Sequence, residues 1–198
     1  MTDADAAQFF QDLLWKLRDA FNDGRFDHLL EHVNEWQVRA YSGEGKWAYA
    51  EGPFSPRQHD LSDSRLVLIT SSGHFVEGDD PEPFGVKNMS QAEAEVRIKD
   101  FIRAEPELSS IRVDTPVANL KVRHGGYDTR GAQVDPGVAF PIEILRELEA
   151  EGRIGELALN AYAFVGAGSQ RRLLKDAGPQ WAKMIQEQQI DAALLVPV

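Results

Sequence analysis

The spacing of apolar and polar residues along the chain predicts helices first and a sheet later. Apolar side chains recur every three or four residues over 5–21 and again over about 26–34, which predicts two amphipathic helices. The stretch 41–63 is rich in glycine and proline around a few aromatic residues, and this composition predicts loops. We therefore expect residues 1–60 to form an N-terminal helical arm followed by an irregular segment.

From residue 61 onward the pattern alternates between strands and helices. The run from Arg65 to Thr70 is almost continuously apolar, which is typical of a central strand buried on both faces. Segment 75–87 is rich in acidic residues, glycine and proline and is expected to be an exposed loop. The remaining predicted elements are a helix opened by a capping box at Ser90–Glu93 and ending near Ala104, a strand over 117–122, a helix from about 142 to 150, a strand near 162–166, a helix from Ser169 interrupted at Gly178–Pro179, and a buried strand over 192–198.

Strands that alternate with helices favour a parallel sheet with helices packed on its faces. We therefore predict an α/β fold for residues 61–198, with a mostly parallel sheet flanked by helices in a Rossmann-like, three-layer arrangement. In such sheets ligands bind beyond the carboxyl ends of the strands, where the loops converge. We therefore expect the functional side chains to lie in the loops that follow the predicted strands.

Composition narrows the possible functions. The 198 residues carry a formal net charge of −11, which disfavours nucleic acid and anionic membranes as partners. No apolar run approaches the roughly 18 residues that a membrane-spanning helix needs, and the first residues lack a basic signal region, so we expect a cytoplasmic protein. The sequence contains no cysteine, which leaves histidine, carboxylate, hydroxyl and backbone groups for chemistry.

The first candidate loop follows the predicted central strand. It contains the hydroxyls of Thr70, Ser71 and Ser72, then Gly73 and His74. Hydroxyls can hold a carboxylate, glycine lets a ligand approach the backbone, and histidine titrates near neutral pH. The alternative interpretation is a polar turn whose hydroxyls bind their own backbone.

The second candidate loop follows the strand predicted over 117–122. An arginine provides a fork for a carboxylate, a histidine is suited to acid-base work, two glycines open the backbone, and a tyrosine and an aspartate supply hydrogen bonds. These residues are Arg123, His124, Gly125, Gly126, Tyr127 and Asp128. We expect Arg123 with Ser71 and Ser72 to hold a substrate carboxylate, and either His124 or His74 to supply a proton. A charged surface turn is the alternative.

A weaker candidate lies in the predicted second helix. His28 and His32 stand one helical turn apart with Glu31 beside one of them, a spacing found in inverted zinc-protease motifs. No third ligand is evident, and the apolar residues between the histidines predict an ordinary buried helix face. We predict no metal site.

The order of several segments resembles the selenoprotein B family of the glycine, betaine, sarcosine and D-proline reductases. The resemblance covers roughly residues 64–198. It is carried by Leu68–His74, Val122–Asp128, Phe140–Ile142, Leu145–Leu148, Gly152–Gly155 and Asp191–Val198.

The resemblance implies reductive cleavage of the C–N bond of a small amino acid or an N-methylated relative, in a complex with other reductase subunits. It also implies that a selenocysteine or cysteine, the redox nucleophile, follows directly after Val198. The expectation is therefore a chain stopped at a UGA codon and unable to perform redox chemistry by itself. The alternative is a non-catalytic subunit of the same fold that binds a small molecule or serves assembly. Which small substrate is used is left open by the sequence.

Overall fold

The computed structural model describes residues 58–198. The predicted helices over 5–21 and 26–34, with the candidate zinc motif at His28 and His32, lie outside the described residues. The arm therefore stays a prediction, and so does the division at residue 60. None of the helices within residues 58–198 has the length and hydrophobicity that a membrane-spanning helix needs.

A five-stranded mixed sheet lies at the centre of the described part of the chain. Its strands are β1 (Arg65–Thr70), β3 (Ser109–Arg112), β5 (Glu156–Leu157), β6 (Asn160–Ala163) and β7 (Ala192–Val196), while β2 (His74–Val76) and β4 (Leu120–Val122) form a separate antiparallel pair. The helices are α1 (Gln91–Val96), α2 (Ile98–Arg103), α3 (Arg130–Val134), α4 (Ile142–Ala150), α5 (Gln170–Arg172) and α6 (Gly178–Glu187). Short 3-10 turns lie at Leu61–Asp63, Pro83–Gly85, Val117–Asn119 and Pro136–Val138, and a π-helical segment spans Leu173–Ala177. The α/β class is confirmed.

Strand β1 is the central strand, as its apolar run predicted. It runs parallel to β5 and β6 on one side and to β7 on the other, whereas β3 is antiparallel to β6. Leu66 and Leu68 pack in one cluster with residues of α4, and Val67 packs on the opposite face with Met184 and Ile185 of α6. Burial on both faces explains why β1 has no alternation of apolar and polar residues.

The capping box is confirmed with both of its hydrogen bonds. The Ser90 hydroxyl accepts from the amide of Glu93, and the Glu93 carboxylate accepts from the amide of Ser90. The helix that it starts is shorter than predicted, because the chain leaves helical geometry at Arg97 and resumes as α2 up to Arg103. The predicted helix at 142–150 is confirmed as α4.

Four local predictions are wrong. Segment 75–87 is not all loop, because Phe75 and Val76 pair in β2 with β4. Only the last three residues of 117–122 form a strand, since the first three form a 3-10 turn. The glycine and proline at 178–179 do not interrupt the helix, because a π-helical turn precedes them and proline is tolerated near a helix start. Strand β7 is not buried, because within the described part of the chain it pairs with β1 alone and leaves Leu195 63% exposed.

Candidate functional site

The turn after β1 contacts the second candidate loop through the backbone of Gly73. Gly73 lies in this turn with a φ of +73°, and a Cβ there would stand 2.3 Å from the carbonyl oxygen of Arg123. Only glycine fits both constraints, since other residues are strained at positive φ and would overlap the neighbouring backbone. The amide of Arg123 in turn donates to the carbonyl of Gly73 over 3.1 Å. The two predicted loops are therefore in direct contact.

Ser72 and His74 form a buried pair within this turn. The Ser72 hydroxyl lies 2.6 Å from Nδ1 of His74, and both residues are almost fully buried. The Nε2 atom of His74 has no hydrogen-bond partner among residues 58–198. Burial lowers the pKa of His74 to about 4, because the charged imidazolium would lose its hydration. His74 is therefore neutral at neutral pH.

His124 is a second neutral, buried histidine on the facing loop. Its Nδ1 accepts from the amide of Gly126 over 2.8 Å, which places the ring proton of the neutral form on Nε2. That Nε2 atom is also buried and unpartnered within the described residues. Burial lowers the pKa of His124 to about 4. A buried, unused N–H group is unusual in a folded protein and suits a donor to a ligand.

Tyr127 links the two loops. Its hydroxyl donates to the carbonyl of Ser72 over 3.1 Å, and its ring lies 4.8 Å from that of His124. Burial raises the pKa of Tyr127 to about 12, so the phenol stays protonated. The structure thus connects His74, Ser72, Tyr127 and His124 in one cluster.

Arg123 is buried beside this cluster rather than exposed in it. Its side chain is 4% exposed and donates to both carboxylate oxygens of Asp80, at 2.6 and 3.1 Å, and to the carbonyl of Met89 at 3.0 Å. The guanidinium also lies over the ring of Phe75, 4.9 Å from its centroid. The hydrogen bond from Arg123 lowers the pKa of Asp80, which keeps the pair ionised. That Arg123 holds a substrate carboxylate stays a prediction.

The outer residues of the second loop differ in their surroundings. Gly125 packs so closely on α1 that a Cβ would stand 2.6 Å from the carbonyl oxygen of Ala94. Asp128 is exposed and forms a bidentate pair with Arg130, whose hydrogen bonds lower the pKa of Asp128 to about 2. Asp128 therefore lies on the solvent side of the loop.

The last residue of the sequence lies against the first loop. The amide of Val198 donates to the hydroxyl oxygen of Ser71 over 3.0 Å, and the amide of Ser71 donates to the carbonyl of Val196. The parallel pairing of β1 with β7, which ends at Thr70 and Val196, causes this contact. The Ser71 turn, the Arg123 loop and Val198 therefore meet at the same end of the sheet.

A small cavity adjoins this region beyond the ends of β1 and β6. We call it the Phe84 cavity. It measures about 60 Å³ and is lined by Gly73, Pro81, Pro83, Phe84, Phe101, Ala104, Glu105, Pro106, Glu107, Ser109, Arg123, Phe164, Val165 and Gly168. A larger, open cavity of about 450 Å³ lies on another side of Arg123 and is bordered by carboxylates, among them Glu77, Asp79 and Asp80.

Sequence reasoning missed several residues of the site. Asp80 holds Arg123, although it precedes that arginine by 43 residues. Gln91 clamps the backbone of His124, accepting from its amide and donating to its carbonyl. The ring of Phe140 lies 5.5 Å from that of His74. For Phe140 a signal existed, since it lies in one of the segments that carried the family resemblance.

Comparison with known proteins places these loops in a described family. Residues 51–198 match the family described as glycine/sarcosine/betaine reductase selenoprotein B. The chain is 31% identical over 146 residues to the D-proline reductase subunit gamma of Acetoanaerobium sticklandii. It is 31% identical over 148 residues to the glycine reductase complex component B subunit gamma of Carboxydothermus hydrogenoformans. It is 41% identical over 145 residues to the betaine reductase complex component B subunit beta of Peptoclostridium acidaminophilum.

These matches cover most of this chain but only part of each relative. They cover 72%, 75% and 70% of this chain, and 52%, 31% and 30% of the three relatives respectively. The chain thus spans about half the length of the first relative and about a third of the other two. No solved structure matches the chain.

Proposed function

Because the chain belongs to the glycine/sarcosine/betaine reductase selenoprotein B family, we propose that it is a component of a reductase complex that cleaves a C–N bond of a small amino acid or its N-methylated derivative. The observation that carries the proposal is the family match over residues 51–198, which includes both loops of the site. The relatives are described as subunits or components of such reductases, which supports other subunits as partners. A cytoplasmic location is part of the same proposal.

We place the redox nucleophile outside the 198 residues, since they contain no cysteine. From the family resemblance we propose that a selenocysteine or cysteine follows directly after Val198. The hydrogen bond between the amide of Val198 and Ser71 supports this placement, because a residue at the next position would begin beside the first loop. The nucleotides after the Val198 codon test it: UGA followed by an open frame that encodes a nearby cysteine is expected, and any other sequence rejects it.

For the histidines we propose hydrogen-bond donation to the substrate or to the leaving amine. A pKa of about 4 leaves His74 and His124 uncharged at neutral pH. Neither ring then carries the extra proton of an imidazolium that it could transfer as a general acid. A neutral N–H in a buried site still stabilises charge that develops on the substrate, because water does not compete for it. Their Nε2 atoms, which have no hydrogen-bond partner among residues 58–198, support this role. Separate substitution of each histidine distinguishes the two rings.

The experiment is a reconstitution of the complex from the complete gene and its neighbouring reductase genes. Consumption of glycine, sarcosine, betaine and D-proline is followed in the presence of a dithiol reductant. We expect His124→Ala or His74→Ala to lower turnover by about 100-fold or more, while His59→Gln, at an exposed position, keeps it. An unchanged rate removes that histidine from the mechanism.

A second candidate function is a non-catalytic binding or assembly subunit of the same fold. The absence of cysteine from the sequence favours it. In the same reconstitution this alternative predicts that the subunits assemble and that none of the four substrates is consumed. Assembly without turnover would therefore replace the first proposal by the second.

A further inference from the structure

Three backbone contacts hold Ser72 in place within the turn that follows β1. Its amide donates to the hydroxyl of Thr70 over 3.2 Å, and its carbonyl accepts from the hydroxyl of Tyr127 over 3.1 Å. An isolated antiparallel bridge joins Ser72 to Val165. Because Ser72 is also 0% exposed, its side chain is confined to a position beside the ring of His74.

The hydroxyl of Ser72 determines which nitrogen of His74 carries the ring proton. The hydroxyl oxygen lies 2.6 Å from Nδ1 of His74, and this is its one hydrogen bond within residues 58–198. A proton on Nδ1 would leave two buried groups unpaired there, the hydroxyl hydrogen and the Nε2 lone pair. A proton on Nε2 lets the hydroxyl donate to Nδ1 and leaves only the Nε2–H group unpaired. The Nε2–H form is favoured because each unpaired buried polar group costs free energy.

His124 reaches the same form through a different contact. Its Nδ1 accepts from the backbone amide of Gly126 over 2.8 Å, which leaves the proton on Nε2. Both rings therefore present a buried N–H group that has no acceptor among residues 58–198. Two such donors suit a ligand that carries hydrogen-bond acceptors, such as carboxylate or carbonyl oxygens.

The contact between Ser72 and His74 also has the distance of an activated serine nucleophile. Two features argue against that interpretation. In hydrolytic triads a carboxylate orients the histidine through the ring nitrogen that does not face the serine, whereas within residues 58–198 no group contacts Nε2 of His74. The side chain of Ser72 is also fully buried, although a nucleophile must reach its substrate. The hydroxyl is therefore placed to act on the ring.

We propose that Ser72 is a positioning residue, whose hydroxyl donates to Nδ1 of His74 and so holds the ring proton on Nε2, where it is offered to a hydrogen-bond acceptor of the ligand. This role differs from the direct contact with a substrate carboxylate that the sequence predicts for Ser72. The inference rests on the proposed function only for the identity of the ligand as a substrate. The position of the proton follows from the contacts of the described residues.

The test is nitrogen NMR of the histidine rings in the 15N-labelled 198-residue chain at pH 7. A long-range 1H–15N correlation spectrum shows which ring nitrogen carries the proton. Comparison with the spectra of His74→Gln and His124→Gln assigns the signals of the two buried rings. Both rings are expected in the Nε2–H form, and a proton on Nδ1 of His74 in the unsubstituted chain would overturn the inference.

Ser72→Ala removes the hydroxyl and keeps the backbone contacts of the residue. The population of the Nδ1–H form of His74, relative to the Nε2–H form, should then rise about fivefold, the factor expected for one net hydrogen bond. Ser72→Thr keeps a hydroxyl and should retain the original ratio. Ser64→Ala is the matched control, because it removes another buried hydroxyl, which donates to the carbonyl of Asp60, and it should not change the ratio.

The same variants test whether the ring proton serves the ligand. In the reconstituted complex Ser72→Ala should lower turnover about fivefold while the imidazole is still present, and Ser72→Thr should restore it. Ser64→Ala should keep the original turnover. Turnover that is unchanged in Ser72→Ala, although the ratio of the two ring forms has shifted, would overturn the role toward the ligand.

Two further outcomes would contradict the proposal. An unchanged ratio in Ser72→Ala would mean that the hydroxyl does not hold the ring proton, and covalent labelling of Ser72 by a fluorophosphonate would reveal a nucleophile. The ring spectra require no turnover, so they are independent of the proposed function. The Nε2–H form without reductase activity would contradict the function alone, and activity with the proton on Nδ1 would contradict this inference alone.

Discussion

The two buried histidines determine how the stability of the described domain responds to acid. His74 and His124 each have a pKa of about 4 in the folded chain, against an ordinary value of 6.5. Between these values the unfolded chain binds a proton at each position that the folded chain does not. The contribution of these neutral histidines to the free energy of unfolding is therefore fully present above about pH 6.5. It falls as the pH drops toward 4, by about 1.4 kcal/mol per pH unit for each histidine.

We expect the free energy of unfolding to fall by roughly 2 kcal/mol per histidine between pH 7 and pH 5. Urea denaturation at the two pH values measures it. His74→Gln and His124→Gln should each reduce the difference between the two pH values by that amount, and His59→Gln, at an exposed position, should not change it. An identical pH dependence in all four proteins would contradict the buried, neutral state of these rings.

Residue patterns could predict which side chains belong to the site but not what they contact. The hydroxyls, histidines and glycines of both loops were identified because they follow strands of recognisable pattern. The pairing of Arg123 with Asp80 was not predictable, since it depends on how an acidic loop folds back over 43 residues of intervening chain. The uncharged form of the two histidines was also not predictable, because it results from burial, and burial depends on the tertiary structure.

Among the elements, the turn between β1 and β2 has the strictest steric requirement. Gly73 and Gly78 both have positive φ, at +73° and +89°, but only Gly73 lies against other backbone atoms. We expect Gly78→Ala to lower the free energy of unfolding by about 1 kcal/mol, from backbone strain alone. Gly73→Ala should lower it by about 3 kcal/mol or more, because the new Cβ also overlaps the carbonyl of Arg123.

Urea denaturation of the two variants separates the backbone strain at positive φ from the steric overlap with the carbonyl of Arg123. Because both substitutions add the same methyl group at a left-handed position, the difference between them reports the contact with Arg123. Equal losses of stability would mean that the second loop yields to the methyl group and that the two loops are not tightly joined.

Elements with long or strongly patterned sequences were predictable, and short ones were not. Strand β1 and helix α4 were identified because the apolar run and the helical spacing extend over a whole element. Strands β2, β3 and β5 contain two to four residues, too few for a period to emerge. The exposure of β7 was missed because its apolar residues match those of a central strand, and the sequence does not reveal the order of strands in a sheet.

At the scale of the whole described domain, the two outer strands of the sheet differ in protection. Strand β3 ends at Arg112, which pairs with Asp114, and charge of this kind discourages pairing with other chains. Strand β7 carries no charged residue and exposes Leu194 and Leu195 by 37% and 63%. Apolar edge strands without charge are sites of association.

We expect the purified 198-residue chain to self-associate through β7 at moderate ionic strength, where its negative charges are screened. Leu195→Lys should shift the sedimentation profile toward monomer by introducing a charge at the edge. Leu159→Lys makes the same substitution at another exposed leucine, outside the named strands, and should not shift it. If both lysine variants behave alike, association does not proceed through β7.

The position of β1 between its three parallel neighbours also bears on how ligand preference could evolve. The strand supports the sheet and ends in the first loop, so its substitutions would disturb architecture and chemistry together. The segments that line the Phe84 cavity, such as Pro81–Gly85 and Val165–Gly168, lie outside the sheet ladders. Relatives could therefore diversify in what they recognise by altering these peripheral segments while inheriting the same scaffold unchanged.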